Sequence, residues 1–280
     1  MSKKVIGVDL GGTNVRAGLI SANKLSKLQV KQIRSQGTKE EVLEDLYSVI
    51  DKVFERGVRG IGIGAPSLVA PKTGVILDTT NIPSWKEVPL RKILEKRYKV
   101  PVHIDNDANC FALGERAFGH GKKCDNYVGL ILGTGLGAGI ILNGRLHSGV
   151  DCGAGEFGLI PYKDSIVEHY ACGQFFRRFH REGEELANAA RAGEAEALKI
   201  FSEYGKHLAF AFKVILYALA PEMIVLGGSV SNSYPLYRAS LEEGLQDFSY
   251  QSVLQRLKVK VSTKKHIAIL GAGTLVNDKS

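Results

Sequence analysis

The chain has 280 residues, of which 44% are hydrophobic and 24% charged, so it can bury a proper core and is not a disordered protein. Its net charge of +8 comes from basic residues scattered along the chain, and this excludes a nucleic-acid-binding stripe. The most apolar window, residues 208–220, is interrupted by Lys213 and is shorter than the ~20 residues that span a bilayer. We therefore expect no nucleic-acid or membrane partner and, because the N-terminus lacks the apolar core of a signal peptide, a cytoplasmic location.

The first predicted element is a β-hairpin near the N-terminus. Residues 5–10 and 15–20 are predicted strands, and the turn between them is rich in glycine. Such a turn lets backbone N–H groups crowd around an anion, Thr13 and Asn14 add donors, and Asp9 at the strand end could hold Mg²⁺ or its water ligands. On the turn alone, an ordinary glycine-rich hairpin is the simpler explanation.

A helix, a strand and a long loop follow. Apolar residues at helical spacing predict a helix over residues 41–54 that Gly57 closes, and residues 59–65 predict a buried strand. Residues 67–84 are predicted to be a polar loop, and loops of this length in compact domains are usually functional. A further helix is predicted from Pro89 to residue 98.

The acidic cluster Asp105-Asn106-Asp107 falls where a predicted strand, 101–104, gives way to a predicted helix, 108–118. Turns of this kind carry active sites in open α/β sheets, and Asp107 is our candidate catalytic base. One of the three side chains could instead simply cap the helix, since caps far outnumber catalytic aspartates. The glycine-rich turns elsewhere in the chain favour the catalytic interpretation.

A second glycine-rich hairpin is predicted between residues 127 and 142, with its turn at 133–137. Gly133, Gly135 and Ala138 also satisfy a dinucleotide-binding fingerprint, but that motif must open a helix, and residues 138–142 are typical of a strand. We therefore reject a Rossmann site. The sequence contains no P-loop motif either.

The remaining elements are predicted to be structural. Residues 194–219 are predicted to form one long helix or two, with Leu198 and Phe212 among the inward-facing residues. The other predicted elements are a strand at 223–226, a helix at 240–257, a strand at 259–261 and a last helix at 267–276. The four cysteines form no CxxC pair, which in a cytoplasmic chain predicts reduced, mostly buried thiols.

Four motifs, in this order, resemble those of the ROK family of sugar kinases and repressors. They are Asp9-Leu10-Gly11-Gly12-Thr13-Asn14, Asn106-Asp107-Ala108-Asn109, Leu132-Gly133-Thr134-Gly135-Leu136-Gly137 and Gly155-Glu156-Phe157-Gly158. The resemblance implies an α/β fold of the two-domain actin-like ATPase (ribonuclease H-like) type. It places a small domain at 1–119 plus about 267–280, a large domain at 120–266 and an active-site cleft between them. Closure of that cleft would exclude water, which competes for the γ-phosphate.

The resemblance also implies a role for each matching residue. Asp107 would take the proton of a sugar hydroxyl, and Asp9 would sit by Mg²⁺, in direct contact or through water. The residues implied to bind ATP are Asp9, Gly11, Gly12, Thr13, Asn14, Gly133, Thr134, Gly135, Gly227 and Gly228. Carboxylates and carboxamides suit a sugar, whose hydroxyls both donate and accept hydrogen bonds. The residues implied to bind it are Asn81, Asn106, Asp107, Glu156 and Glu168.

The sequence departs from the family at one point. Many ROK proteins bind a structural zinc through a histidine and three cysteines, but here Leu159 stands in the histidine position and the cysteine trio is missing. His169 and Cys172 are two residues short of a zinc site, so we expect no zinc. Because the family histidine usually also touches the sugar, Leu159 leaves the preferred hexose open.

We expect an ATP-dependent hexokinase of the ROK type, a glucokinase that phosphorylates the 6-hydroxyl of glucose and forms a homodimer. The alternatives are a kinase for fructose, mannose or an N-acetylated hexosamine, and a catalytically silent sugar sensor. Asp9, Asp107 and both glycine-rich turns argue against the sensor, which needs no base. The sequence shows no N-terminal winged-helix segment, so we expect a kinase rather than a repressor.

Overall fold

The computed structural model describes residues 4–66, 68–79 and 81–276 of the chain. These residues fall into two compact units. The first unit comprises the described parts of Met1–Lys123, Arg145–Ala154 and Thr263–Ser280, and the second comprises Cys124–Gly144 and Gly155–Ser262.

Strands and helices alternate in the mixed α/β order that the sequence predicts. The strands are β1 (Lys4–Leu10), β2 (Asn14–Ser21), β3 (Lys24–Gln32), β4 (Val58–Ala65), β5 (Leu68–Ala70), β6 (Val75–Asp78), β7 (Lys86–Val88), β8 (Val102–Asn106), β9 (Tyr127–Leu132), β10 (Leu136–Leu142), β11 (Arg145–Leu146), β12 (Pro161–Tyr162), β13 (Ser165–Ile166), β14 (Met223–Gly227) and β15 (Lys258–Val261). The α-helices are α1 (Lys39–Val53), α2 (Leu90–Tyr98), α3 (Asp107–Phe118), α4 (Val167–Ala171), α5 (Gly183–Arg191), α6 (Ala195–Leu219), α7 (Tyr234–Gly244), α8 (Gln251–Arg256) and α9 (Ile267–Thr274). Short 3₁₀ helices cover His120–Lys123, Val150–Cys152, Phe157–Leu159, Gly173–Phe179 and Ser229–Ser233.

The main sheet of the first unit has the strand order β3-β2-β1-β4-β8. β1 and β2 form the first predicted hairpin, and β3 extends it as an antiparallel strand that the sequence analysis did not identify. β1, β4 and β8 run parallel, so their carboxyl ends lie at one edge of the sheet. Asp9 and the acidic cluster lie at that edge.

The two faces of this sheet carry side chains of different size. On one face, Ile6 of β1 and Leu46 of α1 belong to the same buried apolar core. On the other face, Gly7 and Gly62 let the backbone of α9 come close. A Cβ added at Gly62 would lie 1.8 Å from the carbonyl oxygen of Ala272. The strand glycines therefore allow α9 to pack directly on the sheet.

The predicted loop at 67–84 is wrong in part, because β5 and β6 lie within it and pair, together with β7 just after it, as a small antiparallel sheet. Val69, Ile76 and Val88 are buried. Strands of three or four residues are too short to show an alternating apolar pattern. Asn81 lies in the irregular stretch after β6, while Ser67 and Thr80 lie outside the described residues.

The sheet of the second unit contains the strand order β10-β9-β14-β15. β9 and β10 form the second predicted hairpin, and β14 runs parallel to β9 and β15. α6 is a single helix of 25 residues that buries Phe201 and Phe212 in the core of this unit. Leu198 is 41% exposed, so its predicted inward position is wrong, because Ala197 one residue earlier lies on the buried stripe.

Two predicted helix ends are also wrong. The helix predicted over 240–257 is divided into α7 and α8, since Phe248 between them turns into the core and is only 2% exposed. α1 is followed by Phe54 at its C-cap, whereas Gly57 adopts a φ of 91° in the next turn.

The four cysteines are free thiols and three are buried, as predicted. Among the described helices, none combines the length and apolar character of a membrane span.

Candidate active site

The parallel strands of the first unit place two carboxylates in one row of the sheet. Asp9 of β1 pairs in register with Gly64 of β4, and Gly64 pairs with Asp105 of β8. Neighbouring strands are about 4.8 Å apart, so the Cα atoms of Asp9 and Asp105 are roughly 10 Å from each other. The structure thus brings the first glycine-rich turn and the acidic cluster to the same edge.

Asp107 is the first residue of α3, directly after β8. The cap that the sequence left open is provided by Asn106, whose Oδ1 accepts hydrogen bonds from the backbone N–H groups of Ala108 (2.8 Å) and Asn109 (3.4 Å). Asp107 Oδ1 also accepts from the Ala108 N–H at 2.8 Å. The capping interpretation is therefore right for Asn106, and it leaves Asp107 at the positive end of the helix dipole.

Gly64 lets the backbone of Asp107 approach the sheet. A Cβ at position 64 would lie 3.2 Å from Asp107 Cα and 3.1 Å from the Sγ atom of Cys110. Burial raises the pKa of the Cys110 thiol, and the negative charges of Asp105, Asp107 and Asp9 raise it further. All three carboxylates are thus close enough to influence one buried sulfur atom.

The first glycine-rich turn is closed by a hydrogen bond from Gly11 N to Asn14 O, 2.9 Å long. A Cβ at Gly12 would lie 2.7 Å from Asn81 Cβ, so the structure packs this predicted sugar residue against the predicted phosphate turn. Asp9 Oδ2 accepts a hydrogen bond from Arg16 at 2.9 Å, and the two residues are directly opposite in the hairpin. Arg16 is a partner of Asp9 that was not predicted from the sequence, although the hairpin register could have identified it.

In the second unit, the turn between β9 and β10 is held by the segment around α4. Gly133 O accepts from the backbone N–H of Gly173 at 2.8 Å, and Thr134 O accepts from the Cys172 thiol at 3.2 Å. Glu168 Oε2 accepts from the backbone N–H of Leu136 at 2.8 Å. The structure therefore brings Glu168 together with the second predicted phosphate turn.

Glu168 also influences Glu156, the other predicted sugar carboxylate of this unit. Glu156 is exposed and directly precedes the 3₁₀ helix Phe157–Leu159. Partial desolvation raises the pKa of Glu156, and the negative charge of Glu168 raises it further. Glu168 is itself engaged on both sides, since Oε1 accepts from Gln174 Nε2 at 3.0 Å. Glu156 is thus within electrostatic range of the carboxylate that holds the second turn.

A cavity of about 420 Å³ lies beside the second turn, within the usual size range of ligand pockets. Gly227 ends β14 and Gly228 follows it, directly before the lining residues Ser229 and Val230. Gly228 adopts a φ of 82° with no room for a Cβ, which would lie 2.4 Å from Leu132 O. Most of the lining residues were not predicted from the sequence, because they come from segments that are distant in the chain. The lining includes Gly133, Thr134, Phe176, Arg177, Phe201 and Asn232.

Leu159, which stands in the family's histidine position, is 59% exposed. His169 Nδ1 is 2.6 Å from Ser165 Oγ. Within the described part of the chain, no group of three or more His, Cys, Asp or Glu side chains could hold a metal ion. Asp9 fits Mg²⁺ on different grounds, since this ion is commonly held by one or two carboxylates together with substrate phosphates and water.

Comparisons with known proteins identify the family. The ROK family model matches residues 5–279. The chain is 31% identical to a glucokinase of Thermotoga maritima, over 99% of this chain and 98% of the relative. It is 33% identical to an N-acetyl-D-glucosamine kinase of Aliivibrio salmonicida, over 82% and 86% respectively. Its structure is similar to that of a ROK family glucokinase from Streptomyces griseus in complex with glucose and AMPPNP (TM-score 0.84, 26% identity, 97% and 98% covered). The chain therefore has the actin-like ATPase fold and belongs to the ROK family.

Proposed function

We propose that this protein is an ATP-dependent hexose kinase that converts glucose to glucose 6-phosphate, with Asp107 as the general base. The observation that carries the proposal is the edge of the first sheet, where Asp9, Asp107 and the Gly11–Asn14 turn are brought together. Phosphoryl transfer requires this set, because it depends on a base that orients the hydroxyl and on groups that neutralise phosphate charge.

Asp107 acts on the attacking hydroxyl. The sugar oxygen forms a bond to the γ-phosphorus as the bond between that phosphorus and the ADP oxygen breaks, and the hydroxyl proton passes to Asp107. Mg²⁺, held through Asp9 and its water ligands, would neutralise charge on the phosphates. The backbone N–H groups of the Gly11–Asn14 turn add further donors for the phosphates.

The nucleotide is assigned to the cavity of the second unit. Phe176 and Phe201 supply apolar and aromatic surface for the adenine, and Asn232 supplies a polar group. Gly133 and Thr134 line the same cavity, so the turn between β9 and β10 receives the phosphates next to the adenosine. Gly227 and Gly228 allow the chain to pass close to the adenosine, because neither has a side chain.

The sugar is assigned to residues whose side chains suit hydroxyls. Asn106 Oδ1 caps the helix, which fixes the carboxamide at the edge of the sheet, and a carboxamide both donates and accepts hydrogen bonds, as a sugar hydroxyl does. Asn81 is fixed beside Gly12, and Glu156 is an exposed acceptor. Glu168 is bonded to Leu136 N and Gln174 Nε2, so we assign it mainly to the placement of the second turn and the sugar beside it.

One other substrate has specific support. The 33% identity to an N-acetyl-D-glucosamine kinase makes N-acetylglucosamine the second candidate, and Leu159 offers an exposed apolar side chain for its methyl group. Fructose and mannose are the next candidate substrates. A silent sugar sensor has less support, because it would not need Asp107. We also propose a homodimer in the cytoplasm, which light scattering of the purified protein and cell fractionation would test.

A coupled ADP-release assay over glucose, N-acetylglucosamine, mannose and fructose tests the proposal. We expect glucose to give the highest kcat/KM. We also expect Asp107→Asn to lose nearly all transfer while still binding the sugar, because the carboxamide keeps the shape and loses the basicity. A general base typically contributes ~10²–10⁴-fold to the rate. A wild-type kcat in this variant would show that Asp107 is not the base.

A further inference from the structure

A buried polar cluster lies next to the candidate base. Asp105 is 9% exposed and Asn109 is completely buried. Asp105 Oδ1 accepts two hydrogen bonds of 2.7 Å, one from Asn109 Nδ2 and one from the backbone N–H of Asn106. Cys152 is 1% exposed, and its thiol lies close enough to the same carboxylate to lower the pKa of Asp105. We call Asp105, Asn109 and Cys152 the Asp105 cluster.

The Asp105 cluster is not needed to cap α3. Asn106 already accepts from the first backbone N–H groups of the helix. The two short bonds of Asp105 instead reach the residues on both sides of Asp107, Asn106 before it and Asn109 after it. They fix the direction in which the chain passes from strand to helix, and hence the position of the Asp107 side chain between them.

Burial of the Asp105 cluster lowers the stability of the folded protein. A buried carboxylate loses its hydration, and burial raises the pKa of Asp105 while the hydrogen bonds from Asn109 and Asn106 and the nearby thiol of Cys152 oppose that rise. Asn109 Oδ1 is buried without a hydrogen-bond partner among the described residues. Costly polar groups of this kind are typical of functional sites, where geometry matters more than stability.

We propose that Asp105 is a positioning residue, which holds Asp107 in line with the attacking hydroxyl through its bonds to Asn106 and Asn109. The inference rests on the proposed function, in which Asp107 is the base. Asp105 itself does not touch the substrate. Its contribution is geometric, because a displacement of about 1 Å at a reacting group can lower the rate by ~10²-fold.

The first test is Asp105→Ala. Both short bonds end on Oδ1, so the methyl side chain removes the acceptor of both bonds and loosens the turn. We expect kcat to fall by ~10- to 100-fold. The affinity for glucose should change less than about threefold, because Asn81, Glu156 and Glu168, which are also assigned to the sugar, do not depend on Asp105. Affinity can be measured from the fluorescence of Trp85, the only tryptophan, which lies four residues after Asn81.

Two further variants separate positioning from stability. Asp105→Asn keeps an amide oxygen at the position of Oδ1, where it can accept both short bonds, so we expect this variant to recover roughly tenfold of the kcat that Asp105→Ala loses, as a geometric role requires. Asp45→Ala is the matched control, since Asp45 is also a completely buried aspartate of the first unit but belongs to an ion-pair group with Lys31 and Arg34. It should lower Tm and leave kcat per folded enzyme unchanged.

The outcomes distinguish the two proposals. A wild-type protein that phosphorylates none of the sugars refutes the proposed function. An active wild type with Asp105→Ala within twofold of its kcat refutes the positioning role and leaves the function intact. The positioning role also fails if the loss of kcat disappears after normalisation to the folded fraction, as expected for Asp45→Ala, or if folded Asp105→Asn is no faster than Asp105→Ala.

Discussion

Gly64→Ala tests whether the approach of Asp107 to the sheet sets the reaction rate. The new Cβ would lie 3.2 Å from Asp107 Cα and 3.1 Å from Cys110 Sγ, whereas ordinary contacts are 3.4–4 Å. Asp107 must therefore move outward by roughly 0.2–0.8 Å. At about 10²-fold per ångström, kcat should fall by roughly 3- to 40-fold, and the overpacking should cost about 1–3 kcal/mol of stability.

The assay is steady-state ADP release, normalised to the folded fraction from thermal unfolding. Gly60→Ala is the control, because Gly60 lies in the same strand but its Cβ would meet the side chain of Val276, at 2.6 Å, and not Asp107. This control should lose stability and keep its kcat. The reasoning is refuted if Gly64→Ala is folded with a wild-type kcat, or if both variants lose the same activity.

Three further predictions concern the sugar, the metal and acid stability. Glu156→Gln should raise KM more than it lowers kcat. A deoxyglucose should lose kcat/KM relative to glucose, and in the variant this loss should be smaller only for the sugar that lacks the hydroxyl contacted by Glu156. Equal losses in the wild type and the variant would place Glu156 outside the pocket. Elemental analysis should find no stoichiometric zinc, because Leu159 replaces a ligand. Burial alone would raise the pKa of Asp45, but hydrogen bonds from Arg34 and Lys31 lower it to about 2. The stabilisation by Asp45 is thus present above its unfolded pKa of 3.8 and is lost as the pH falls toward 2. The difference in unfolding free energy between wild type and Asp45→Asn should therefore shrink by roughly 2 kcal/mol between about pH 6 and pH 2. A constant difference would contradict this.

The parts of the fold that sequence analysis predicted have strong local signals. Both glycine-rich hairpins and the strand–turn–helix at Asp107 consist of buried apolar runs that end in turn residues. The sheet of β5, β6 and β7 has no such signal, because each strand has a single buried residue among those whose burial is described, namely Val69, Ile76 and Val88. The break between α7 and α8 depends on the burial of Phe248, which is decided by tertiary packing.

The candidate site likewise combines residues with a local sequence signal and contacts that depend on tertiary packing. Asp9, Asp107 and the glycine-rich turns are contiguous motifs, so the sequence identifies them. The bond between Glu168 and Leu136 joins residues 32 positions apart, and the cavity beside the second turn combines Gly133, Phe176 and Asn232 from three distant segments. Contacts of this kind leave no spacing pattern, and only the folded chain reveals them.

The packing of α9 has a consequence for how the protein is made. α9 lies against α3, β1 and β4, and the contact with α3 is so close that a Cβ at Gly271 would lie 1.8 Å from Cys110 O. The helix that begins with Asp107 therefore lacks its partner until residues 267–274 have been translated. At ~5–20 residues per second, a ribosome needs roughly 8–30 s to pass from residue 118 to that point. During this interval the nascent first unit exposes the glycine-lined face of its sheet, so it is then that chaperones are most useful to it.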